Sequence, residues 1–254
     1  MFALERQKKI LELLSVEGAV TVSNLSSVLS VTEETVRRDL EKLEKQEALR
    51  RTHGGAVPID ETTHELSLEK RKSTNIEAKQ ALAKIAVDHI VSGDTIFLDA
   101  STTTFFIARE LKKSKNITVI TNSLRVVAEL SCNPEIKTIA VGGVVSDNQS
   151  FVGSLAEKSI EDNYVASKMF FSSKGFTAEA GILESNDKEC GIKQKMLRNS
   201  GIRYYLCDSS KIGRIGFVKL ASFEEIDYII TEAELSDDIM TRLDDYNVKI
   251  INAE

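Results

Sequence analysis

Helix-like and strand-like segments alternate from residue 76 to the end of the chain, and this alternation restricts the fold more than any other feature. Each strand-like segment is a short apolar run, whereas each helical segment repeats its apolar residues every three or four positions. The predicted strands span 95–98, 117–120, 136–141, 168–171, 203–206, 228–231 and 248–251. The predicted helices span 77–92, 103–113, 124–131, 154–162, 187–199 and 235–244. Because a helix separates most consecutive strands, we expect residues 76–254 to form an α/β domain with a mainly parallel sheet.

Residues 1–57 follow a different pattern, in which three short helices precede a hairpin. The predicted helices are 4–17, a short segment that begins behind Ser23 as its N-cap, and about 33–46 behind Thr32 as its N-cap. The hairpin covers 48–57. Three helices followed by a hairpin are typical of a winged helix-turn-helix domain, and the polar stretch 58–75 is predicted to link it to the α/β domain.

The winged domain carries side chains suited to DNA. A helix fits the major groove, where the residues of its first turns reach base edges, and an arginine binds guanine in a bidentate way. Helix N-termini and a hairpin can also contact phosphates. The candidate DNA-binding residues are Ser23, Thr32, Glu34, Thr35, Arg37, Arg38, Arg50, Arg51, His53, Gly54 and Gly55. The alternative is a winged scaffold that contacts another protein.

Charge is distributed unevenly along the chain. The formal net charge is −6, which by itself argues against a nucleic-acid partner. Residues 1–57 hold nine basic and nine acidic residues, whereas residues 58–254 hold 24 and 30. The acidic excess therefore lies outside the winged domain. Because that domain is neutral rather than basic, we expect its non-specific DNA affinity to be modest.

Two sequence motifs in this domain resemble the DeoR family of bacterial transcriptional regulators. The first is T-V-R-R-D-L-E-K-L at residues 35–43, and the second is R-R-T-H-G-G-A at residues 50–56. The run R-Q-K-K-I at residues 6–10 accompanies them. The resemblance implies that the first motif is the recognition helix and the second is the wing. For Asp39, inside the first motif, two roles are open: contact with DNA, or orientation of Arg37 or Arg38.

The second candidate site begins where the predicted strand 95–98 ends. The hydroxyl-rich turn Ser101-Thr102-Thr103 opens a helix there, and the N–H groups, hydroxyls and dipole of such a turn attract an anion. Simple N-capping is the alternative. Small, polar and lysine residues also follow the other strands, and ligands of open α/β sheets bind at those ends. The candidate effector-binding residues are Asp99, Ser101, Thr102, Thr103, Thr121, Asn122, Ser123, Gly142, Gly143, Lys174, Gly175, Asp208 and Lys211.

These residue types suit a phosphorylated sugar. Lys174 and Lys211 would neutralise the phosphate, and the carboxylates and the amide would hold sugar hydroxyls, namely those of Asp99, Asn122 and Asp208. The resemblance to the DeoR family extends over this domain through Arg71, the segment 79–86, L-D-A-S-T-T, T-N-S, G-G and D-S-S-K. It implies a fold similar to ribose-5-phosphate isomerase and a phosphorylated sugar as the effector.

One departure from the family concerns the turn after the fourth strand. The family has a glycine-rich turn, whereas this chain has Ser172-Ser173-Lys174-Gly175, with Ser185 to Glu189 downstream. We expect these positions to influence which sugar is recognised.

An active sugar-phosphate isomerase with a DNA-binding head is the competing interpretation. Isomerisation needs a carboxylate base, and the isomerases of this fold carry a D-G-A-D-type motif that is missing here. Glu179, Glu184 and Glu189 remain as candidate bases, but we expect them to be solvated carboxylates. We therefore expect a regulator and no enzyme activity.

Other features narrow the class further. The cysteines Cys132, Cys190 and Cys207 and the three histidines are scattered, so we expect no metal site and no cofactor. No apolar run reaches the roughly 18 residues of a membrane span, and the charged N-terminus does not resemble a signal peptide. We expect a cytoplasmic homo-oligomer, dimer or tetramer, that binds double-stranded operator DNA as a repressor, with activation as the alternative.

Overall fold

The structure is a computed structural model that describes residues 2–17, 19–46, 48–57 and 67–253. The described chain divides into two compact units, Met1–Lys70 and Arg71–Glu254. The boundary falls inside the predicted linker 58–75, of which residues 58–66 lie outside the described part.

The described part of the first unit has the order helix, strand, helix, helix, hairpin. Its helices are α1 (Ala3–Glu17), α2 (Val22–Leu29) and α3 (Glu33–Lys45). Its strands are β1 (Val20–Thr21), β2 (Arg50–Thr52) and β3 (Gly55–Val57), which pair antiparallel in the order β1-β3-β2. The predicted winged helix-turn-helix fold is confirmed.

The three helices of this unit enclose a small apolar core. Ile10 of α1, Leu25 of α2 and Val36 of α3 are fully buried in it. The apolar residues of α3 recur at the three- and four-residue spacing of one helical face, which leaves all its charged residues except Asp39 outside. The core therefore fixes which side of α3 is available to a partner.

Helix capping was predicted correctly for α3 and incorrectly for α2. Thr32 caps α3, and its hydroxyl accepts a hydrogen bond from the Thr35 N–H at 3.3 Å. The cap of α2 is Thr21, which accepts from the Asn24 N–H at 3.2 Å, whereas the predicted cap Ser23 lies inside the first turn. The helix starts at the buried Val22, two residues earlier than expected.

The second unit contains helices and strands that alternate as predicted. The described helices from residue 67 on are α4 (Leu68–Ser73), α5 (Ile76–Asp88), α6 (Thr102–Glu110), α7 (Leu124–Leu130), α8 (Ser154–Asn163), α9 (Asp187–Arg198) and α10 (Asp237–Asp245). The strands of the main sheet are β4 (Thr95–Leu98), β5 (Ile117–Thr121), β6 (Ile136–Ala140), β9 (Ala166–Phe171), β12 (Ser200–Leu206), β14 (Tyr228–Thr231) and β15 (Lys249–Asn252). Within residues 67–253 these seven strands pair in parallel.

Two small antiparallel sheets within residues 67–253 were not predicted. One is the hairpin of β7 (Val144–Val145) and β8 (Phe151–Val152). The other joins β10 (Gly175–Thr177), β11 (Gly181–Glu184) and β13 (Val218–Ala221). Their strands have two to four residues each, which is too short for an alternating pattern to stand out.

Helices cover both faces of the main sheet, as parallel sheets require. On one face α5, α6 and α7 bury Leu82, Ile107 and Val126. On the other face α8 and α9 bury Ile160 and Ile192, together with the small three-stranded sheet. No described helix is long and apolar enough to cross a membrane.

The strand order of the main sheet marks a position for a ligand. The order is β15-β14-β12-β9-β4-β5-β6, so the chain proceeds outward from β4 in one direction and outward from β9 in the other. In open α/β sheets the crevice at such a reversal, outside the carboxyl ends of the strands, is where ligands bind. Asp99 and Ser172 immediately follow β4 and β9 at this place.

Candidate functional site

The first turns of α3 present an exposed polar surface. Thr32, Glu34, Arg37 and Arg38 are exposed, and Thr35 is half-buried. The hydroxyls of Thr32 and Thr35 lie 2.9 Å apart at the helix start. This is the part of a recognition helix that reaches base edges.

The arginines of α3 are held by acidic residues one turn earlier. Arg37 contacts Glu33 at 2.7 Å, and Arg38 contacts Glu34 at 3.2 Å. Both pairs are solvent-exposed, so each is worth only about 0.3–0.5 kcal/mol and can be exchanged for contacts with DNA. Glu34 therefore positions Arg38, in addition to its predicted role as a base-contacting residue.

Asp39 does not orient Arg37 or Arg38, which was one of the two roles open to it. It is buried on the inner face of α3, where Arg6 of α1 pairs with its carboxylate and the Gln7 side chain donates to it at 3.1 Å. Asp39 therefore fastens α1 to α3, on the side of the helix away from the exposed arginines.

The wing has an exposed strand and a buried strand. Arg50, Arg51, His53 and Gly54 are exposed, whereas Gly55 is buried. A Cβ at Gly55 would lie 1.9 Å from the Val20 carbonyl oxygen, so this glycine is required for the close pairing of β3 with β1. The close packing against β1 explains why a glycine stands at position 55, without any contact to DNA.

Asp99, predicted to hold a sugar hydroxyl, has both oxygens engaged inside the protein. The Ser101 N–H and the Thr104 hydroxyl donate to Oδ1 at 3.1 Å and 2.8 Å. The Ser172 N–H and the Lys193 ammonium contact Oδ2 at 3.3 Å and 3.0 Å. Asp99 is fully buried and joins the ends of β4 and β9, so its role is to shape the crevice.

Lys193 and Glu184 complete a buried charge cluster that the sequence reasoning missed. The Lys193 ammonium contacts the Glu184 carboxylate at 2.6 Å and donates to the Ser172 carbonyl at 2.7 Å. Burial opposes the charged form of Lys193, but the adjacent Glu184 and Asp99 outweigh it and raise the pKa of the ammonium. We call Asp99, Glu184 and Lys193 the crevice triad.

The expectation of solvated carboxylates was wrong for two of the three glutamates. Glu184 and Glu189 are buried, and only Glu179 is exposed. Burial raises the pKa of Glu189, while a hydrogen bond from the Ser150 hydroxyl opposes the rise. Glu189 and Lys193 are four residues apart on one face of α9, and that spacing was the available signal in the sequence.

The N-terminus of α6 has the features of an anion site. Ser101 caps the helix by accepting from the Thr104 N–H at 3.1 Å, and Thr102 and Thr103 form its buried first turn. First-turn N–H groups have no acceptor within the helix. Among the described residues the Thr103 hydroxyl, which is 1% exposed, has no hydrogen-bond partner.

Basic side chains cluster near this edge of the sheet. Lys79 of α5 is buried, and its pKa falls to about 8, first because of burial and then because of Lys211, while Asp208 opposes the shift and Arg71 and Arg125 add to it. The Lys79 ammonium also donates to the Arg71 carbonyl at 2.7 Å, which places these two residues together. We call Arg71, Lys79, Arg125 and Lys211 the basic cluster.

Two members of the basic cluster are also positioned by their neighbours. The Lys211 ammonium donates to the Ser173 carbonyl at 2.5 Å. The Arg125 guanidinium lies 3.8 Å from the centre of the Phe105 ring on α6. Arg125 thus lies beside the helix whose N-terminus is described above.

Asp208 belongs to the same neighbourhood. Burial opposes its ionisation, but Lys211 and the hydrogen bonds from Ser210 and Asn75 lower the pKa of the carboxyl. The Asn75 side chain donates to Asp208 at 3.0 Å. Asp208 is therefore an ionised carboxylate within a basic environment.

The sequence analysis did not propose Lys79 or Arg125 as site residues. Lys79 occupies the buried stripe of α5 together with Leu82, Ala83 and Ala86. A lysine within an apolar stripe was the signal that could have found it. Arg125 follows the N-cap Ser123 by two residues, and nothing in that spacing distinguishes it from a surface residue.

The remaining predicted effector residues after β5 serve mainly the fold. The Thr121 hydroxyl donates to the Leu98 carbonyl at 2.7 Å, and Ser123 caps α7. The Asn122 amide donates to the Phe151 carbonyl at 3.3 Å, and its Oδ1 atom has no partner in the described part of the chain. Asn122 is therefore the residue of this group with a polar atom left for a ligand.

The predicted glycines also have packing roles. Gly142 and Gly143 have φ angles of +72° and +120°, and they turn the chain from β6 into the β7–β8 hairpin. Gly175 is buried, and a Cβ there would lie 2.5 Å from the Lys211 carbonyl oxygen. Lys174 is half-buried, and its N–H donates to the Leu183 carbonyl at 3.2 Å.

A winged helix-turn-helix unit followed by an α/β unit with a polar crevice is the architecture of a DNA-binding transcriptional regulator. The DeoR-like helix-turn-helix domain matches residues 6–62, and the DeoR C-terminal sensor domain matches residues 74–233. The chain belongs to the DeoR family of transcriptional regulators.

Curated relatives agree with this assignment over the full length of the chain. The regulator YulB of Bacillus subtilis is 41% identical over 98% of this chain and 96% of its own. The regulator GolR of Listeria innocua is 34% identical over the whole of both chains. A putative aga operon transcriptional repressor of Escherichia coli O157:H7 is 32% identical over 97% of this chain and 93% of its own.

Among solved structures, ribose 5-phosphate isomerase A of Methanocaldococcus jannaschii has a TM-score of 0.42 and 17% identity. The match covers 56% of each chain. The expected α/β sensor domain is seen directly in the sheet order above, and the family match supports it.

Proposed function

We propose that this regulator represses genes for the use of a sugar and leaves its operator when a phosphorylated sugar binds to the second unit. The observation that carries the proposal is the α6 N-terminus, where the partnerless Thr103 hydroxyl of the described structure lies in the first turn of the helix. The basic cluster supplies the charge that a phosphate needs. The name of another relative, the L-fucose operon activator of Haemophilus influenzae, supports a connection with a sugar operon.

The phosphate would be held by the first turn of α6 and by Lys79, Lys211 and Arg125. Helix N-terminal N–H groups and hydroxyls bind phosphate oxygens, and lysine and arginine neutralise them. The Asn122 Oδ1 atom would accept from a sugar hydroxyl. The crevice triad would keep the ends of β4 and β9 in place.

The DNA would be read by the first turns of α3 and by the wing. Arg37 and Arg38 would contact base edges or phosphates, and Arg50, Arg51 and His53 would contact the backbone or the minor groove. A neutral domain gains little from phosphate contacts alone, so specificity requires two such domains on paired half-sites. We therefore propose a homo-oligomer that acts in the cytoplasm.

The isomerase alternative receives less support from the structure. Glu184 is committed to Lys193, and Glu189 is committed to the Ser150 hydroxyl. A carboxylate engaged in this way is poorly placed to remove a proton from a sugar carbon. The regulator assignment of the family therefore stands as the main function.

A thermal-shift screen tests the effector half of the proposal. The panel contains ribose 5-phosphate, glucose 6-phosphate, fructose 1-phosphate, fructose 6-phosphate and glycerol 3-phosphate, each beside its unphosphorylated parent. A ligand at 100 times its Kd stabilises the folded state by about 2.7 kcal/mol. We expect stabilisation by at least one phosphorylated compound, not by its parent, and loss of it in Thr103→Val.

The Thr103→Val change is chosen because valine matches threonine in shape, so the substitution removes the hydroxyl without opening a cavity. Thr118→Val, at a half-buried position of β5, is the matched control and should respond like the wild type. Equal stabilisation by phosphate and parent, or an unchanged response of Thr103→Val, would contradict the proposed site.

A further inference from the structure

The helix α4 is short and lies at the boundary between the two compact units. It has six residues, Leu68–Ser73, whereas isolated helices below about 12–15 residues are marginal in water. It also follows directly on residues 58–66, which connect it along the chain to the wing. Whether α4 remains helical therefore depends on the groups that contact its C-terminal end.

Lys79 holds the C-terminal end of α4. Its ammonium donates to the Arg71 carbonyl and to the Thr74 carbonyl, each at 2.7 Å. The last carbonyls of a helix lack donor partners within the helix, and a positive charge there is favourable. Because an ammonium has three donors, Lys79 retains one for a phosphate oxygen.

Two further contacts hold the segment from Arg71 to Lys79, which we call the α4–α5 corner. The Arg71 guanidinium donates to the Asn148 side chain at 2.5 Å, in the β7–β8 hairpin. Asn75 lies between α4 and α5 with a φ of 51°, and its amide donates to Asp208 at 3.0 Å. The α4–α5 corner is thus attached both to the β7–β8 hairpin and to Asp208, which follows β12.

Positive charges outnumber negative ones around Lys79 at the α4–α5 corner. Lys211, Arg71 and Arg125 all disfavour the charged form of Lys79, and Asp208 is the acidic group that favours it. A dianion at the α6 N-terminus would offset this repulsion. It would strengthen the ammonium as a cap for α4, and it would raise the pKa of Lys79 above about 8.

We propose that α4 is the switch element of this regulator, and that Lys79 couples an anion bound at the α6 N-terminus to the C-terminal end of α4. The inference rests on the proposed function and deepens it. Anion binding fastens α4 through Lys79 and Asn75, at the place along the chain where the second unit begins. A two-state element that the ligand biases is what such coupling requires.

Hydrogen exchange of the full chain tests the coupling, with sulfate as the probe because its charge is constant from pH 6.5 to 9.5. We expect saturating sulfate to slow exchange of the amides of residues 68–76 by about fivefold or more. Asn75→Gly keeps the left-handed backbone but removes the amide that contacts Asp208, so it should reduce this protection to less than about twofold at equal saturation.

Asn116→Gly is the matched control. Asn116 also has a left-handed φ, of 57°. Its side-chain amide donates to the Ser92 hydroxyl at 3.0 Å and, among the bonds described, to no residue of the α4–α5 corner. Its replacement should therefore leave the response of residues 68–76 unchanged. Calorimetry of sulfate binding for each variant establishes that saturation is equal.

The pH profile of sulfate binding supplies a second readout. In the wild type, affinity should fall above pH 8 by up to about tenfold per pH unit, because Lys79 must take up a proton. Lys79→Arg keeps the charge at every pH and should remove this slope. Lys84→Arg, on the exposed side of the same helix, should retain it.

The outcomes separate the two proposals. If sulfate fails to bind, or binds equally well to Thr103→Val, the proposed site and the coupling are both wrong. If sulfate binds through Thr103 but exchange of residues 68–76 does not change, or Lys79→Arg keeps the slope, the coupling is wrong and the site stands.

Discussion

The two units use charged residues in opposite ways. In the first unit the arginines of α3 pair with Glu33 and Glu34 at the surface, where their side chains are 48–73% exposed. In the second unit the crevice triad is almost completely buried, with side-chain exposures of 0–8%. Exposed pairs exchange partners at little cost, whereas buried pairs are costly to break. The first arrangement suits contact with DNA, and the second maintains a rigid crevice.

Asp39 shows that burial, and not the unit in which a residue lies, decides how a charged side chain is used. It lies in the first unit, yet its carboxylate is buried against Arg6 and Gln7. We therefore expect it to behave like the crevice triad and unlike its neighbours Arg37 and Arg38.

The largest effect is expected for Lys193→Met. The substitution leaves Asp99 and Glu184 buried without their cation, which should lower the free energy of unfolding by about 3–5 kcal/mol. Urea unfolding followed by tyrosine fluorescence measures it, because all five tyrosines lie in the second unit. Lys195→Met, which removes a more exposed pair with Glu161, should lower the free energy of unfolding far less. Equal costs would remove the distinction between buried and exposed charges.

Asp39→Asn should have the next largest effect. The loss of the charged acceptor for Arg6 and Gln7 should destabilise the first unit by about 1.5–3 kcal/mol. Hydrogen exchange of the amides of α1 and α3 measures this change. Glu41→Gln, which weakens an exposed pair with Lys45, should leave the exchange of these amides nearly unchanged. If both variants exchange alike, burial does not set the strength of ion pairs in this unit.

Arg38→Ala should weaken operator binding without affecting the second unit. The loss of a base contact costs about 1–3 kcal/mol, or roughly 5- to 150-fold in affinity. Fluorescence anisotropy, with a duplex selected by the chain from a random pool, measures the change. Lys45→Ala, late in the same helix, is the control and should alter affinity much less. Unchanged DNA affinity of Arg38→Ala would show that the arginine does not read the operator.

The smallest effect concerns the pH dependence of stability. Burial raises the pKa of Glu189, so the folded state holds this proton more tightly than the unfolded state does. Its contribution is present at low pH and is lost as the pH rises through the raised pKa. Glu189→Gln should therefore give a flatter stability curve above pH 4.5, measured by urea midpoints. Glu179→Gln, at an exposed position, should follow the wild type. Parallel curves for the wild type and Glu189→Gln would contradict a raised pKa of Glu189 in the folded state.

Local signals in the sequence predicted the main elements. The strands β4 and β14 were predicted with their observed bounds, since apolar runs lie there between polar residues. Thr32 was recognised as a cap because the helix that it starts is strongly amphipathic. Position at the strand ends also identified Ser101 and Asp208 as part of one polar region.

The sequence alone did not show which residues far apart in the chain contact each other. Asp99 and Lys193 meet only after β4 and α9 have packed on the sheet, so the sequence analysis did not predict this ion pair. The partner of Asp39 was missed for the same reason, because Arg6 lies on a different helix. The β10, β11 and β13 strands were missed because each has only three or four residues, too few for an alternating pattern to stand out.

Operator binding in the presence of a sugar phosphate tests the central claim most directly. Anisotropy of the selected duplex is measured with the phosphorylated sugar that stabilises the chain most and, in parallel, with its unphosphorylated parent. The account predicts that the phosphorylated sugar alone releases the DNA, and that Thr103→Val stays bound. Release by both compounds, or by neither, would contradict it.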